Sequence, residues 1–417
     1  MQQLRIAFVE SNLSGTGYEA IETVRRLGHH VTFVTRDLDY YRRAGGGFDD
    51  SLIDQVITCD TENARTVASM VARCGGAQAL LTVSEWHVVV AAEAAALLGL
   101  AGADPDAVRA ARDKSRTREH CAAAGVPIPA YHRLTLPAAS AVGFPPPWVV
   151  KPVDGVLSSG VKLCLTEGEA RNHAQALFER CVRPNERGQR RTPVVLVEEY
   201  LDGPEFSVET LTYGGRTEIV AITRKLLSPP PLFLEAGHVV PANLPASTAR
   251  SCADLVRRAL AAIGYEFGAA HVEVRVTVDG PKLIEINCRP AGDRITRLAA
   301  LATGVDLLAA LIGMHLGQAP KLDPDRECAA AIVFLPSGEG VVQQIDGVTA
   351  ARAMPGVQDV GLYIDPGAEL VAAESNTDRI GHVIAVAPEP DMALARAQAA
   401  AGKVRATLRA DPVSALA

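Results

Sequence analysis

The segment HVEVRVTVDGPKLIEINCRP, residues 271–290, constrains the fold most, because apolar and polar residues alternate along it in two runs. Alternation with a period of two is typical of β-strands with one buried face. Asp279 and Gly280 mark a turn between the runs. The segment therefore predicts an antiparallel hairpin. For its apolar sets to share one face, opposed residue numbers must sum to an even value, which predicts a loop of odd length, such as three residues.

The polar face of this hairpin carries two carboxylates. In the even register Glu273 lies opposite Glu285 or Asn287, so two carboxylates and an amide gather on one face. Like charges this close need a cation, and hard oxygen ligands suit Mg²⁺, which takes one or two carboxylates together with phosphates. Arg289, one alternation further on, is suited to bind a phosphate or a carboxylate. For this segment alone, a solvated hairpin face is the alternative.

A second signal is the strand WVVKP followed by the loop DGVLSSGV. Lys151 ends the strand, and Ser158, Ser159 and Gly160 lie in the loop. Such a loop presents backbone N–H groups to phosphate oxygens, while the lysine supplies a positive charge. The spacing differs from that of a P-loop, and an ordinary turn is the alternative for this motif in isolation.

A third signal is VLVEEYLDGPEFSVE, in which an apolar strand ends at Glu198, Glu199, Tyr200 and Leu201. Backbone groups where a strand passes into a loop are suited to bind the edge of an adenine ring. Glu205 is near enough in sequence to accept hydrogen bonds from ribose hydroxyls. Taken alone, the segment would be an ordinary charged strand end.

The N-terminal region predicts a Rossmann-like domain. A strand over Arg5 to Val9, a helix over Tyr18 to Leu27 and a strand over Val31 to Thr35 form a βαβ unit. The loop SNLSGTG between the first strand and the helix lacks the GxGxxG order, so we interpret it as a tight connection. Later, Glu85 and Trp86 follow a strand at its carboxyl end, where open α/β sheets bind ligands.

The rest of the chain predicts further elements. Asp104 to Gly125 has helical character with Asp104 as its cap, and a β-rich core follows the strand that ends at Glu198 and continues to about Asn287. Helical patterns cover Ile295 to Leu316, and a final helix is predicted from about Met392 to Leu408.

Composition and charge exclude several classes. The net charge of the 417 residues is −7, and the longest basic tract is the short loop at residues 187–191, so a nucleic-acid partner is not expected. The eight cysteines have no paired spacing, which favours a reduced cytoplasmic protein over a zinc or disulfide framework. The sequence contains no cleavable leader and no long apolar run, so export and a membrane span are not expected either.

Five ordered motifs together resemble the nucleotide-binding set of the ATP-grasp superfamily. They are Lys114 in RDKSRTRE, Lys151, the DGVLSSGV loop, EEYLDGPE, and the pair HVEV and LIEINCRP. The resemblance spans about residues 104–310, and the flanks look like the biotin carboxylase-like arrangement. It implies an α/β protein with a Rossmann-like pre-ATP-grasp domain at 1–103. An ATP-grasp domain would follow at 104–315 with a lid at about 130–193, and a C-terminal α+β subdomain at 316–417.

The resemblance also implies roles for the residues of these motifs. Lys114 and Lys151 would contact the phosphates of ATP, the loop Ser158, Ser159 and Gly160 would close over them, and Glu198, Glu199, Tyr200 and Leu201 would hold adenine. Glu205 would hold ribose. The ligands of Mg²⁺, or of Mn²⁺ in its place, would be Glu273, Glu285 and Asn287. Arg289 would then steady an acyl phosphate and the adduct that follows, which agrees with phosphoryl transfer being mostly positioning and charge neutralisation.

Within the superfamily, the segments ITRKLLSPPP, EAGHVVPANLP and NCRPAGDRI look most like the L-amino acid ligases. This likeness implies that His238 and Arg294 face the substrates, that Lys225 lies near the phosphates, and that Glu85 and Trp86 help to close the pocket. A buried loop histidine and a domain-interface tryptophan are the alternatives for His238 and Trp86.

The expected function is therefore an ATP-dependent ligase that activates a carboxylate and couples it to an amine, with small-molecule substrates and, as in the family, a homodimer. Two alternatives remain at this stage. One is another ATP-grasp carboxylate ligase of the biotin carboxylase-like or purine-pathway type, and the other is a nucleotide-binding regulator without turnover.

Overall fold

We describe the protein from a computed structural model. Four parallel strands form its first sheet. The structure describes residues 3–13, 15–44, 48–136, 142–181, 189, 191–230, 232–373 and 375–409. Ser14 of the SNLSGTG loop and most of the basic loop at 187–191 lie outside these ranges.

The strands of the first sheet are β1 (Arg5–Val9), β2 (His30–Thr35), β3 (Gln55–Thr58) and β4 (Ala79–Leu81), in the order β3-β2-β1-β4. Its helices are α1 (Thr16–Arg26), α2 (Leu38–Ala44), α3 (Ala64–Arg73) and α4 (Val88–Leu97). Ile6 and Phe8 of β1 are fully buried against α1, as a sheet covered on its faces requires. The predicted Rossmann-like N-terminal domain is confirmed.

Two helices follow where one helical segment was predicted, namely α5 (Pro105–Arg112) and α6 (Lys114–Ala123). The predicted cap is confirmed, since the side chain of Asp104 accepts a hydrogen bond from the Asp106 N–H. The break falls at Asp113, whose extended backbone ends α5 and whose side chain caps α6. Lys114 is therefore the first residue of α6.

A small antiparallel sheet comes next, in the order β5-β8-β6-β7. Its elements are β5 (Tyr131–Leu134), β6 (Trp148–Pro152), β7 (Lys162–Cys164), α7 (Glu167–Cys181) and β8 (Val195–Glu199). The strand that precedes the predicted β-rich core is β8, and it belongs to this small sheet. It pairs with β5 along one edge and with β6 along the other, so it lies in the interior of the small sheet.

The predicted β-rich core is present in the following region, which also contains a long helix that was not predicted. Its elements are β9 (Glu205–Tyr213), β10 (Arg216–Leu227), β11 (Glu235–Val240), α8 (Ala246–Ala262), β12 (Gly268–Thr277) and β13 (Gly280–Asn287). Leu255, Val256 and Leu260 of α8 are buried in the largest core, together with Val272 and Ile286 of the hairpin.

The C-terminal region continues the same sheet. Its elements are α9 (Ile295–Thr303), α10 (Leu307–His315), β14 (Ala329–Leu335), β15 (Gly340–Asp346), α11 (Val348–Arg352), β16 (Val357–Leu362), β17 (Glu369–Leu370), β18 (Gly381–Ala387), α12 (Pro390–Ala401) and β19 (Arg405–Arg409). The large sheet has the order β13-β12-β9-β10-β11-β14-β18-β16, and β17-β15-β19 form a third small sheet. The predicted final helix is wrong beyond Ala401, because Gly402 caps α12 and the next residues pair with β15.

The hairpin predicted at 271–290 is present as β12 and β13. Glu273 lies opposite Glu285, and His271 opposite Asn287, in the predicted even register. The odd loop was wrong: Thr277 pairs with Gly280 across a two-residue turn, and the register shifts by one residue next to Glu273. A β-bulge thus supplies the extra residue that the register needs.

No single described helix is long and apolar enough to cross a membrane. The bent pair Ile295–Thr303 and Leu307–His315 passes that test jointly, by length and composition alone.

Candidate active site

A cavity of about 1270 Å³, part of it open to solvent, lies where the small sheet faces the large sheet. Twelve of the residues singled out in the sequence line it, namely Lys114, Lys151, Ser158, Ser159, Glu198, Glu199, Leu201, Glu205, Glu273, Glu285, Asn287 and Arg289. Gly160, Tyr200, Lys225, His238 and Arg294 are outside this lining. The structure thus brings together residues that are far apart in the sequence.

Lys114 reaches into the cavity from the start of α6. Its Nζ donates to the Gly155 carbonyl at 2.9 Å and forms an ion pair with Glu285 Oε1 at 2.8 Å. The lysine is buried, so its charge is little screened by water. One of the two predicted metal carboxylates therefore already has a cation beside it.

Lys151 is fixed by a buried ion-pair network at the end of β6. Its Nζ lies 2.6 Å from Glu198 Oε2, and Arg118 Nε donates to Glu198 Oε1 at 2.9 Å. Burial opposes the ionisation of Glu198, but Arg118 and Lys151 hold the pKa of this carboxyl below its usual value. The side chain of Glu198 thus holds Lys151 and Arg118 in position. Arg118 was missed by the sequence reasoning because a mid-helix arginine carries no local signal.

The loop between β6 and β7 has a strained backbone. Leu157 and Ser158 have φ of 55° and 57°, and Gly160 has φ of 81°. A Cβ atom on Gly160 would also lie 2.8 Å from Leu177 Cδ2, so glycine is required there. Positive φ at non-glycine residues occurs where surrounding structure imposes it, often at binding sites.

The connection between β8 and β9 forms one wall of the cavity. Lys282 Nζ lies 3.2 Å from both carboxylate oxygens of Glu199, and Arg275 Nη1 donates to the Leu201 carbonyl at 2.9 Å. The ring of Tyr200 stacks on Phe233 with centroids 6.2 Å apart. These contacts hold the connection against the large sheet.

Lys225 on β10 lies beneath the cavity and joins three of its carboxylates. Its Nζ is 2.9 Å from Glu205, 2.7 Å from Glu235 and 2.9 Å from Glu273. Burial would lower the pKa of this ammonium group, but the three carboxylates raise it well above its usual value. Lys225 is therefore cationic and is shared by the predicted ribose and metal residues.

The predicted metal ligands share the hairpin. Burial would raise the pKa of Glu273, but Lys225 and His271 hold it well below its usual value, so the carboxylate is ionised. Glu285 lies directly across the strand pair, and Asn287 is buried at the end of β13. Two carboxylates and an amide oxygen with room for phosphate and water suit Mg²⁺, and Mn²⁺ accepts the same oxygen ligands.

Arg289 connects the cavity to the N-terminal domain. Its Nε donates to Glu85 Oε2 at 2.7 Å, and the guanidinium of Arg112 lies 5.1 Å from the ring centroid of Trp86. Glu85 and Trp86 belong to a short 3-10 helix, Glu85–His87, that follows β4. Neither lines the cavity; Glu85 orients Arg289, and Trp86 packs on Arg112.

A second charged cluster lies at the other end of the cavity. His238 Nε2 is 3.1 Å from Asp293 Oδ2, and Arg379 lies 2.8 Å from Asp293 and 3.3 Å from Glu235. Burial would raise the pKa of Asp293, but Arg379 and His238 hold it well below its usual value. Donor atoms of Glu235, His238 and Asp293 lie within 4.8 Å of one another. However, Arg379 and Lys225 already pair with the two carboxylates of this cluster.

The backbone places Asp293 in the cavity. Asp293 and Arg294 have φ of 52° and 59°, so two successive non-glycine residues adopt the left-handed conformation before α9. Arg294 turns away to form an ion pair with Glu19 at 2.7 Å. Asp293 thus lines the cavity, whereas its neighbour Arg294, which the sequence analysis singled out, does not.

The sequence reasoning also missed Glu235, Asn376 and Arg379. Glu235 stands three residues before His238 in the quoted segment, which could have drawn attention to it. Asn376 Nδ2 donates to Glu235 at 3.2 Å, and Arg379 is 86 residues from Asp293. No local pattern in the sequence indicates these C-terminal partners.

Comparison with known proteins agrees with this geometry. The ATP-grasp domain family matches residues 144–297, and L-amino acid ligase C-terminal domain 2 matches residues 333–409. The chain belongs to the ATP-grasp ligases and is an ATP-dependent enzyme that forms C–N bonds. Within this class it is a carboxylate–amine ligase close to the L-amino acid ligases.

Three similar proteins illustrate the relationship. The crystal structure of an L-amino acid ligase from Bacillus licheniformis has a TM-score of 0.83 at 21% identity and covers 98% of this chain and 100% of that one. The uncharacterised protein y4rH of Sinorhizobium fredii is 31% identical over 93% of this chain and 79% of its own length. Carnosine synthase 1 of Gallus gallus is 31% identical over 73% of this chain, and the match spans 34% of that synthase.

Proposed function

We propose that the protein phosphorylates the carboxylate of an amino acid or a related acid and couples the resulting acyl phosphate to an amine. The observation that carries this proposal is the convergence of Lys114, Lys151 and Arg289 on one cavity that also contains the opposed carboxylates Glu273 and Glu285. Three cations and a metal-binding carboxylate pair are what the transfer of a phosphoryl group requires.

ATP fits the first end of the cavity. Lys114, Lys151 and the loop Ser158 to Gly160 would bind its phosphates, and the connection over Glu199, Tyr200 and Leu201 would bind adenine. Glu205 would bind ribose. Because the Glu198 carboxylate is held by Arg118 and Lys151, its contribution to adenine binding would come from the backbone.

Glu273, Glu285 and Asn287 would hold the metal ion. Mg²⁺ bound there would neutralise the phosphates and orient the transferred group. Lys114 and Lys225 now neutralise the two carboxylates at 2.8 Å and 2.9 Å. When the anionic nucleotide and the metal are bound together, these ammonium groups would turn to the nucleotide and the carboxylates to the metal, which keeps the buried charge balanced.

In the first step, a carboxylate oxygen of the acid would attack the γ-phosphorus of ATP, and ADP would leave. The carboxylate is already nucleophilic, so this step needs no general base. In the second step, the amine would attack the carbonyl carbon, the bond to phosphate would break, and phosphate would leave. Arg289, oriented by Glu85, is placed to stabilise the acyl phosphate and the oxyanion of the adduct.

The second end of the cavity supports an amino acid as a substrate. Asp293 has a side chain that is 23% exposed, and it lies four positions from Arg289. Asp293 and Arg289 line the same cavity, where the carboxylate is suited to accept hydrogen bonds from an ammonium group and Arg289 to bind the opposite charge. His238 would act on the substrate only through its contact with Asp293. Arg294 would not face the substrate, and its role would be limited to holding the loop through the ion pair with Glu19.

The experiment is to measure phosphate release from ATP and Mg²⁺ across the twenty amino acids, singly and in pairs, with mass spectrometry of the products. A signal that needs two amino acids, with a product mass equal to both minus water, would support the proposal and name the substrates. A signal that needs bicarbonate and no amino acid would instead favour a biotin carboxylase-like or purine-pathway reaction.

A further inference from the structure

His271 on β12 is a buried histidine whose two ring nitrogens both face carboxylates. Nδ1 lies 2.9 Å from Glu209 Oε2, and Nε2 lies 3.2 Å from Glu273 Oε1. The ring lines the cavity and is only 6% exposed. Each carboxylate thus lies within hydrogen-bond distance of one ring nitrogen, so the ring bridges Glu209 and Glu273.

Glu209 on β9 anchors the far side of the ring. It is 2% exposed and accepts hydrogen bonds from Ser207 Oγ at 2.6 Å and Thr223 Oγ1 at 3.3 Å. His271 pairs with Glu209 in the strand register, so the backbone fixes their separation. The imidazole therefore has one orientation that satisfies Glu209, and that orientation points its other nitrogen at Glu273.

Glu273 receives both of its donors on one oxygen. His271 Nε2 and Lys225 Nζ each contact Oε1. A carboxylate held through one oxygen has a fixed plane and presents the other oxygen in a fixed direction. Residues that hydrogen-bond to a ligating carboxylate set its orientation and tune its affinity for the metal.

We propose that His271 is a positioning residue, clamped by the buried carboxylate of Glu209, that orients Glu273 for the metal ion. This inference rests on the metal role of Glu273 in the proposed function. His271 does not touch the metal or the substrates; it acts only through Glu273. A histidine that merely satisfied Glu209 in the core would affect folding but would not affect metal binding.

The test is Mn²⁺ binding to the full chain with saturating ADP, followed by electron paramagnetic resonance. The variants are His271→Leu, which removes both donors, and His271→Gln, which returns one N–H group. His382→Leu is the matched control, because His382 is 1% exposed on the same sheet and pairs with a carboxylate, Asp359, at 3.1 Å outside the cavity. ADP affinity without metal is measured in parallel.

We expect His271→Leu to weaken Mn²⁺ binding by about 10- to 100-fold. His271→Gln should recover most of that loss, and His382→Leu should bind Mn²⁺ like the parent protein. ADP affinity without metal should stay within about twofold in all of them, because no nucleotide contact is removed. Equal Mn²⁺ affinity in His271→Leu and the parent would overturn the inference. If the parent itself bound no Mn²⁺ with ADP, the metal assignment of the proposed function would fail instead.

A measurement on the parent protein covers the case in which His271→Leu does not fold. In the ADP complex with ¹⁵N-labelled histidine, the Nε2 proton resonance of His271 should shift when Mg²⁺ is added, because its acceptor Glu273 gains a metal ion. A resonance that stays unchanged at saturating Mg²⁺ would contradict the inference.

Discussion

The two ends of the cavity are built differently. At the end proposed for ATP, called here the nucleotide end, Lys114, Lys151, Glu273 and Glu285 lie on helices and strands with a clear sequence pattern, and each lysine pairs with a carboxylate. At the end proposed for the amino acid, the substrate end, the cluster around Asp293 combines β11, the loop before α9 and a C-terminal arginine. The nucleotide end therefore depends on local motifs, whereas the substrate end depends on long-range tertiary contacts, and we expect substitutions at the substrate end to leave ATP binding unchanged.

The largest expected effect is at the nucleotide end. Glu285→Gln keeps the shape of the side chain but removes one charge from the metal ligands, so we expect kcat/KM to fall by about 100-fold or more. The free energy of unfolding should fall by no more than about 1–2 kcal/mol, because Lys114 loses a carboxylate partner but keeps its hydrogen bond to Gly155. Steady-state ATP turnover and urea unfolding measure the two quantities. Glu218→Gln, on the exposed part of β10, is the matched control, and a variant with unchanged turnover would exclude the site.

At the substrate end, Asp293→Asn should act on the substrate alone. Loss of a charge-assisted hydrogen bond to an ammonium group costs about 1.5–3 kcal/mol, so KM for the amino acid should rise about 10- to 100-fold. KM for ATP should stay within about twofold, because Asp293 does not contact the nucleotide end. Titrating each substrate against saturation of the other separates these effects. Equal losses for both substrates would mean that the two ends are not independent.

Lys225 tests the connection between the two ends, since it pairs with Glu205, Glu235 and Glu273. Lys225→Met removes the one cation that these three carboxylates share, so the nucleotide-free protein should bind Mn²⁺ about 10-fold more tightly than the parent. ATP affinity in the presence of Mg²⁺ should fall. Isothermal titration of Mn²⁺ without nucleotide, and of ATP in the presence of Mg²⁺, measures the two changes. Metal affinity that did not respond to this substitution would argue against lysine and metal sharing the carboxylates.

The smallest expected effect is that of changing the pair of His382 and Asp359, which lies outside the cavity. This change should affect stability only. The hydrogen bond from His382, together with nearby arginines, lowers the pKa of Asp359 to about 2. A folded-state pKa below the ordinary value of 3.8 means that stability is present above that pH and is lost as the pH falls through about 2. Between pH 4 and pH 2, the free energy of unfolding of Asp359→Asn should therefore fall by about 1–2 kcal/mol less than that of the parent. Urea unfolding across that range measures this difference, and identical slopes would contradict it.

The same contrast explains how far the sequence could predict the protein. Lys151, Glu273 and Glu285 were identifiable because strand alternation and a glycine loop are local patterns. The even register was predicted correctly, but its cause was not, because a bulge leaves no signal distinct from the alternation itself. The end of α12 was misplaced, since pairing with β15 overrides the helical propensity beyond Gly402.

The substrate end was predicted in part. His238 was identified through the resemblance, but its partners were not, because Arg379 and Asn376 come from a region with no motif of its own. Arg118 and Glu209 were missed for a related reason. Each is a buried charged residue whose role depends on the partner that it contacts in the folded chain. A single sequence does not show these contacts.

The most direct test of the central claim follows the oxygen atoms. The acid substrate is supplied with ¹⁸O in its carboxylate, and the phosphate released during turnover is analysed by mass spectrometry. Activation as an acyl phosphate predicts that one ¹⁸O atom passes from the carboxylate to each phosphate formed, with ADP unlabelled. Phosphate without ¹⁸O, or label in AMP, would contradict the account.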